Sequence, residues 1–354
     1  MNKLKKNILA LTLAALLLLS ICAYLAKNGF TLDKSKNPDQ STSNLKQVIA
    51  QTDPLQISEM RKRSYPGSDI TIGETLTPKK NYNQYIASYK SDGLKIYGLL
   101  TVPQGDPPAG GWPAIIFNHG YIPPDQYQTT ERYVAYVASF AQARYVVFKP
   151  DFRGNGNSEG QPEGSYYSPG YTIDALNALS SIKKYPNVNG NKIGMWGHSM
   201  GGNVTLRSLV VSQDIKAAVI WGGVVGTYDD LLNNWSRKVS YVPSQRELSL
   251  RNTNRANLLS KHGTPQTEPD FWHSIDPNYN LQYVQTPVQL NAGLADEEVP
   301  WQFSQELSDR LKTAGKTVEF YAYPGADHNI SVPSFDLAMK NSLNFFNKYL
   351  KGGD

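Results

Sequence analysis

A chain of 354 residues, 40% hydrophobic and 18% charged, has enough apolar material for one large core and shows no repeat or low-complexity tract. Its formal charge is +5, but Lys3, Lys5, Lys6, Lys27, Lys34 and Lys36 against Asp33 account for the whole excess. The remainder is close to neutral, which excludes a basic nucleic-acid-binding face as a reading of composition.

Lys3, Lys5 and Lys6 precede ILALTLAALLLLSICAYLA, Ile8 to Ala26, an uncharged apolar run of the kind that forms the core of an export signal. The run is also long enough to span a bilayer as a retained anchor, with the lysines keeping the N-terminus in the cytoplasm. Residues 1–26 are therefore expected to be a signal peptide or membrane anchor. The rest would be extracytoplasmic, either secreted or attached to the membrane through residues 8–26. Cys22, the single cysteine, lies inside this run, so the exported part would hold no disulfide. The bulky Ile21 before it stands where a lipoprotein signal carries a small residue. Residues 27–56, rich in Lys, Asn, Ser, Asp and Gln, read as a polar tether, and 57–354 as one folded domain.

YIASYKSDGLKIYGLLTVP alternates apolar and polar residues around Asp92-Gly93 and predicts a hairpin. Strands and helices then take turns. AIIFNHG is a buried strand, TERYVAYVASFAQA a helix, YVVFKPD a strand and YTIDALNALSSIKKY a helix. KIGMWGH, IKAAVIWGG, PVQLNAG and TVEFYAYPG are further strands, separated by MGGNVTLRSLVV and WQFSQELSDRLKTAG as helices, with a last helix from about 334 to 350. This order predicts an α/β fold, a mostly parallel sheet with helices on both faces and antiparallel edge strands from the hairpin. The segment from about 226 to 285 breaks the rhythm. It carries Trp235, Tyr241, Phe271, Trp272, Tyr279 and Tyr283, is too long for a connector, and is expected to form a cap over the site. A peripheral helical decoration is the alternative.

The motif G-H-S-M-G runs from Gly197 to Gly201 between a buried strand and a helix. In that setting the serine, Ser199, is held on a tight turn that Gly197 and Gly201 permit, and helix N-terminal amides face any negative charge developing beside it. The alternative is a helix N-cap serine with no chemistry. A nucleophilic serine needs a base. His198 adjoins it and points elsewhere, His262 and His273 lie in the irregular segment, and His119 ends an earlier strand. His328, in the loop after the last strand, stands where the chain order Ser, Asp, His requires it. Asp296, directly after PVQLNAG, is the expected orienting acid, with Glu297 and Glu298 expected to face solvent. The backbone N–H groups of Met200 and Tyr121 are the candidate oxyanion donors, Gly120 allowing the close approach.

FNHGY, KPDFRGNGNSEG, GMWGHSMGGN, TPVQLNAGLADEEVP and YPGADHNI, in this order, resemble the α/β-hydrolase superfamily and, within it, the catalytic domain of the prolyl oligopeptidase family. The resemblance implies an α/β-hydrolase fold, hydrolytic acyl transfer, and a loop at Asp151–Gly154 in which Asp151 and Arg153 give structural support. Full-length members carry a β-propeller, for which the stretch before Tyr82 has no room. A small-molecule or short-peptide substrate is expected, with no metal, cofactor or nucleic acid. The oligomeric state is not readable. A carboxylesterase for small esters and a catalytically silent surface binding protein are the rival readings.

Overall fold

The computed structural model describes residues 52–352 apart from 237 and 239–242. The expected leader, Cys22, Tyr241 and nearly all of the expected tether lie outside the described residues.

Among these residues nine strands form one sheet: β1 (Thr71–Leu76), β2 (Tyr82–Ser91), β3 (Leu94–Pro103), β4 (Trp112–Asn118), β5 (Val146–Pro150), β6 (Val188–His198), β7 (Ala217–Trp221), β8 (Val288–Gly293) and β9 (Val318–Tyr323). Their order is β1-β2-β3-β5-β4-β6-β7-β8-β9, antiparallel from β1 to β5 and parallel from β5 to β9. The hairpin turns at Asp92-Gly93, with Ser91 opposite Leu94 and φ of 53° and 80° at the two turn residues, the left-handed conformation a two-residue turn demands. Strand β1 was not anticipated. Its TIGETL is exposed along nearly all its length, so it lacks the buried face that pattern reading depends on.

The α-helices among the described residues are α1 (Ile57–Lys62), α2 (Val134–Gln142), α3 (Gly170–Ile182), α4 (Met200–Val211), α5 (Gln245–His262), α6 (Pro269–Ile275), α7 (Gln302–Thr313) and α8 (Phe335–Phe346). Every residue of β4, β5, β7 and β8 is buried, as parallel strands covered on both faces must be. Alternation then divides the core in two. Ile116, Met195 and Ile220 face α3, α4 and α7, whereas Phe117, Trp196 and Trp221 face α2 and α8.

Two boundaries differ from expectation. Helix α2 starts at Val134, four residues later than predicted, because Arg132 and Tyr133 adopt φ of 55° and 53°, outside the helical region. Asp53 to Gln56, expected in the tether, pack on the domain. Leu55 is buried against Tyr228, Leu258, Trp272 and Ile275, and its carbonyl accepts a hydrogen bond from the buried Arg207 guanidinium.

Candidate active site

The parallel strands end along one edge of the sheet, and the loops leaving β4, β6, β7, β8 and β9 meet there around a cavity of about 200 Å³. Ser199 lies between β6 and α4 with φ 55° and ψ −120°, a conformation that non-glycine residues rarely hold. The backbone enforces it. The Ser199 N–H donates to the Trp221 carbonyl at 3.0 Å, and its own carbonyl accepts from the N–H groups of Gly202 and Val224. A Cβ on Gly197 would overlap the Gly201 carbonyl, and one on Gly201 would overlap the Asn118 carbonyl, so β6, α4 and the end of β4 approach backbone to backbone. The Ser199 side chain caps nothing in the helix. It lines the cavity, and the N-cap alternative therefore loses its basis.

His328, between β9 and α8, lines the same cavity. Its Nδ1 donates to Asp296 Oδ2 at 2.7 Å. The Asp296 side chain is 1% exposed, and its Oδ1 accepts the N–H groups of Glu298 and Val299 at 2.8 and 2.9 Å. The Asp296 carboxylate thus receives three donors. It holds the His328 proton on Nδ1 and leaves Nε2 as the acceptor on the other side of the ring. Gly222, after β7, completes this arrangement at φ 49°. A Cβ there would stand 3.2 Å from His328 Nδ1 and 3.4 Å from Asp296 Oδ2. Sequence reading treated Gly222 as the end of a strand; the paired glycine after a buried strand was the available signal.

Met200 opens α4, so its N–H is among the first four of the helix, which have no acceptor within it. Gly120 and Tyr121 follow β4 and line the cavity with Ser199. A Cβ on Gly120 would overlap the Tyr133 hydroxyl and stand 3.1 Å from Ser199 Cβ. His119 is fully buried, its Nδ1 2.7 Å from the Gly120 carbonyl oxygen, and burial together with nearby Lys149 lowers its pKa to about 3.

Asp151 and Arg153 serve different places. Asp151 accepts the hydroxyls of Tyr127 and Thr129 at 2.8 and 2.5 Å, tying down the loop that begins at Tyr121. The buried Lys149 ammonium donates to Tyr127 Oη at 2.9 Å, and burial lowers its pKa to about 8. Arg153 instead makes a two-pronged pair with buried Asp174 of α3 and reaches Asp92 in the hairpin turn. It braces the sheet edge and does not line the cavity.

Glu297 is exposed, but Glu298 is not the solvent-facing residue expected of it. It lines the cavity, its amide holds Asp296, and its carbonyl accepts Trp235 Nε1–H at 2.9 Å. The requirement for amides around the buried Asp296 draws this segment inward. From the strand-free segment, Trp235 and Lys238 line the cavity. Its other described aromatic residues do not. Phe271 stacks on His262, Trp272 is buried beside Tyr228, Tyr279 stacks on His273, and Tyr283 lies under Arg61. Tyr121, Tyr133, Tyr136 and Tyr166, all from outside that segment, supply the remaining aromatic wall.

Residues 132–353 match the profile of the prolyl oligopeptidase family. An uncharacterized peptidase, YtmA, of Bacillus subtilis (strain 168) is 26% identical over 253 residues, covering 71% of this chain and 88% of that protein. Human dipeptidyl peptidase 8 is 25% identical over 273 residues, 74% of this chain; the chain spans only 28% of that protein. Among solved structures, the acetyl xylan esterase from Paenibacillus sp. R4 superposes with a TM-score of 0.60 at 17% identity, over 90% of this chain and 96% of that one. Such neighbours are α/β-hydrolases, and this chain has their fold.

Proposed function

From the premise that this chain belongs to the prolyl oligopeptidase family and is a serine hydrolase, we propose that it is a serine-type peptidase in which Ser199, His328 and Asp296 carry the chemistry. The observation that carries the chemistry is the 2.7 Å bond from His328 Nδ1 to buried Asp296, beside the cavity where Ser199 sits on its strained turn, and the match to the prolyl oligopeptidase family supports the peptide substrate.

In this reading His328 Nε2 takes the proton of Ser199 Oγ as the oxygen attacks the substrate carbonyl, and Asp296 stabilises the imidazolium. The amides of Met200 and Tyr121 receive the negative charge that develops on the carbonyl oxygen. His328 then returns the proton to the departing amine. Water, deprotonated by the same histidine, attacks the ester to Ser199, and His328 returns that proton to Ser199 Oγ as the acid leaves.

Reaction with a fluorophosphonate tests the nucleophile. Wild-type protein should label, and Ser199→Ala, folded to the same thermal midpoint, should not label and should lose at least about a thousandfold in kcat. Labelling that survives this substitution would remove Ser199 from the mechanism. A second reading, an esterase for small acyl esters, is supported by the close match in length to the acetyl xylan esterase. Matched ester and amide substrates decide between them: ester turnover with inert peptides would favour the esterase.

A further inference from the structure

A second line of polar groups runs beside Ser199, His328 and Asp296. The Gly120 N–H donates to the Tyr133 hydroxyl oxygen at 2.8 Å. That hydroxyl is 2.8 Å from His198 Nδ1, and His198 Nε2 is 3.0 Å from the His328 carbonyl oxygen. The protons follow from the chemistry. A carbonyl oxygen only accepts, so His198 Nε2 carries the proton. A neutral imidazole has one N–H, so Nδ1 accepts from the Tyr133 hydroxyl. Burial, and secondarily His328, lowers the His198 pKa to about 3 and keeps the ring neutral near pH 7. Donation thus passes in one direction, from Gly120 through Tyr133 and His198 to His328.

The two ends of this line are the two parts whose relative placement matters for acyl transfer. Gly120 leads into Tyr121, the candidate oxyanion donor, and His328 is the candidate base. Tyr133 is held firmly. Its ring packs edge-on against Phe117 and Trp196. Arg132 and Tyr133 together hold φ of 55° and 53° on non-glycine residues, a conformation that persists only where the surroundings impose it. Tyr136, one turn further on, donates to the Asn329 carbonyl at 2.8 Å and secures the residue after His328.

We propose that Tyr133 and His198 form a positioning relay that fixes the Tyr121 amide and His328 in one geometry across the Ser199 site. The proposal rests on the reading of Ser199, His328 and Asp296 given above. In it neither residue touches the reacting atoms; both act through Gly120 and His328.

Two substitutions in the full-length chain test it. Tyr133→Phe keeps the ring and removes the hydrogen bonds to Gly120 and His198. His198→Gln keeps an N–H for the His328 carbonyl but has no acceptor at the Nδ1 position that meets Tyr133. Each should lower kcat about tenfold on one ester substrate with KM within about twofold. The double variant should fall no further than the poorer single one, because both break the same line. Losses that multiply, or that fall on KM, would overturn the relay. Nitrogen-15 spectra of the imidazoles give a readout that does not depend on turnover: His198 should be the neutral Nε2–H tautomer, and its Nδ1 signal should move in Tyr133→Phe. A His198 protonated on Nδ1 overturns the relay even if Ser199 labels normally. Absence of fluorophosphonate labelling with the expected tautomer present would instead overturn the triad reading.

Discussion

The turn at the end of β6 and the long segment between β7 and β8 use side chains in opposite ways. At the turn, Gly197, Gly201 and Gly202 remove side chains so that three backbone segments converge on Ser199. Between β7 and β8 the chain is rich in aromatic rings, yet of those described only Trp235 reaches the cavity. The others stack locally, pack under Arg61 of α1, or join Leu55 in a small core around Tyr228, Trp272 and Ile275. The difference shows where this fold places chemistry. Strand ends joined to a sheet bring backbone amides and charged groups to the cavity, whereas the segment between β7 and β8 packs most of its apolar residues into the main core or the small core around Trp272 and lends the site one wall.

Substitutions can break this contrast, and the largest effect belongs to the strand ends. Asp296→Asn should lower kcat by about 10⁴ with little change in folding, because the amide no longer fixes the His328 tautomer. A loss of under tenfold would transfer the role to another group. Gly120→Ala forces a methyl into the Tyr133 hydroxyl and should cost about a hundredfold in kcat through the displaced oxyanion loop, as single-turnover acylation would report. In the other region the two tryptophans should separate. Trp235→Ala should raise KM about tenfold, while Trp272→Ala should cost about 3–5 kcal/mol in denaturant unfolding and leave kcat/KM of the folded enzyme unchanged. If Trp272→Ala alters KM as strongly, that segment shapes the site more than its contacts suggest.

The remaining contrast is a pH dependence. Burial first of all, with Lys149 near His119 and His328 near His198 adding to it, holds both folded histidines near pKa 3, against 6.5 when unfolded. Between these values the unfolded chain binds more protons than the folded one. Stability therefore falls as pH drops from about 6.5 toward 3, by on the order of 1 kcal/mol per pH unit for each ring. His198→Gln should remove one of these contributions. Urea midpoints taken between pH 4 and 6 should then fall less steeply than in the wild type, and parallel slopes would mean that His198 titrates normally.

Much of this protein is legible in one dimension because its parallel strands are buried on both faces. Short, fully buried or largely apolar runs with a glycine at or near the end mark β4, β6, β7 and β8, and the residues that follow those runs are the ones gathered at the sheet edge. The placement of Ser199, Asp296 and His328 was readable for that reason: each lies at or within five residues of a strand end, and a parallel sheet brings such positions together. Strand β1 was not readable, since an exposed edge strand has no buried face to betray it. Nor was the start of α2, where Arg132 and Tyr133 leave the helical region to bring the Tyr133 hydroxyl under Gly120. The sequence alone determined the fold class, the order of the strands along the chain and the chemical types at their ends. Only the tertiary structure decided that Gly222 lies against the His328–Asp296 pair, that Glu298 turns inward, and that His198 joins Tyr133 to His328. These depend on contacts between residues far apart in the chain, where distance and direction, and not periodicity, carry the information.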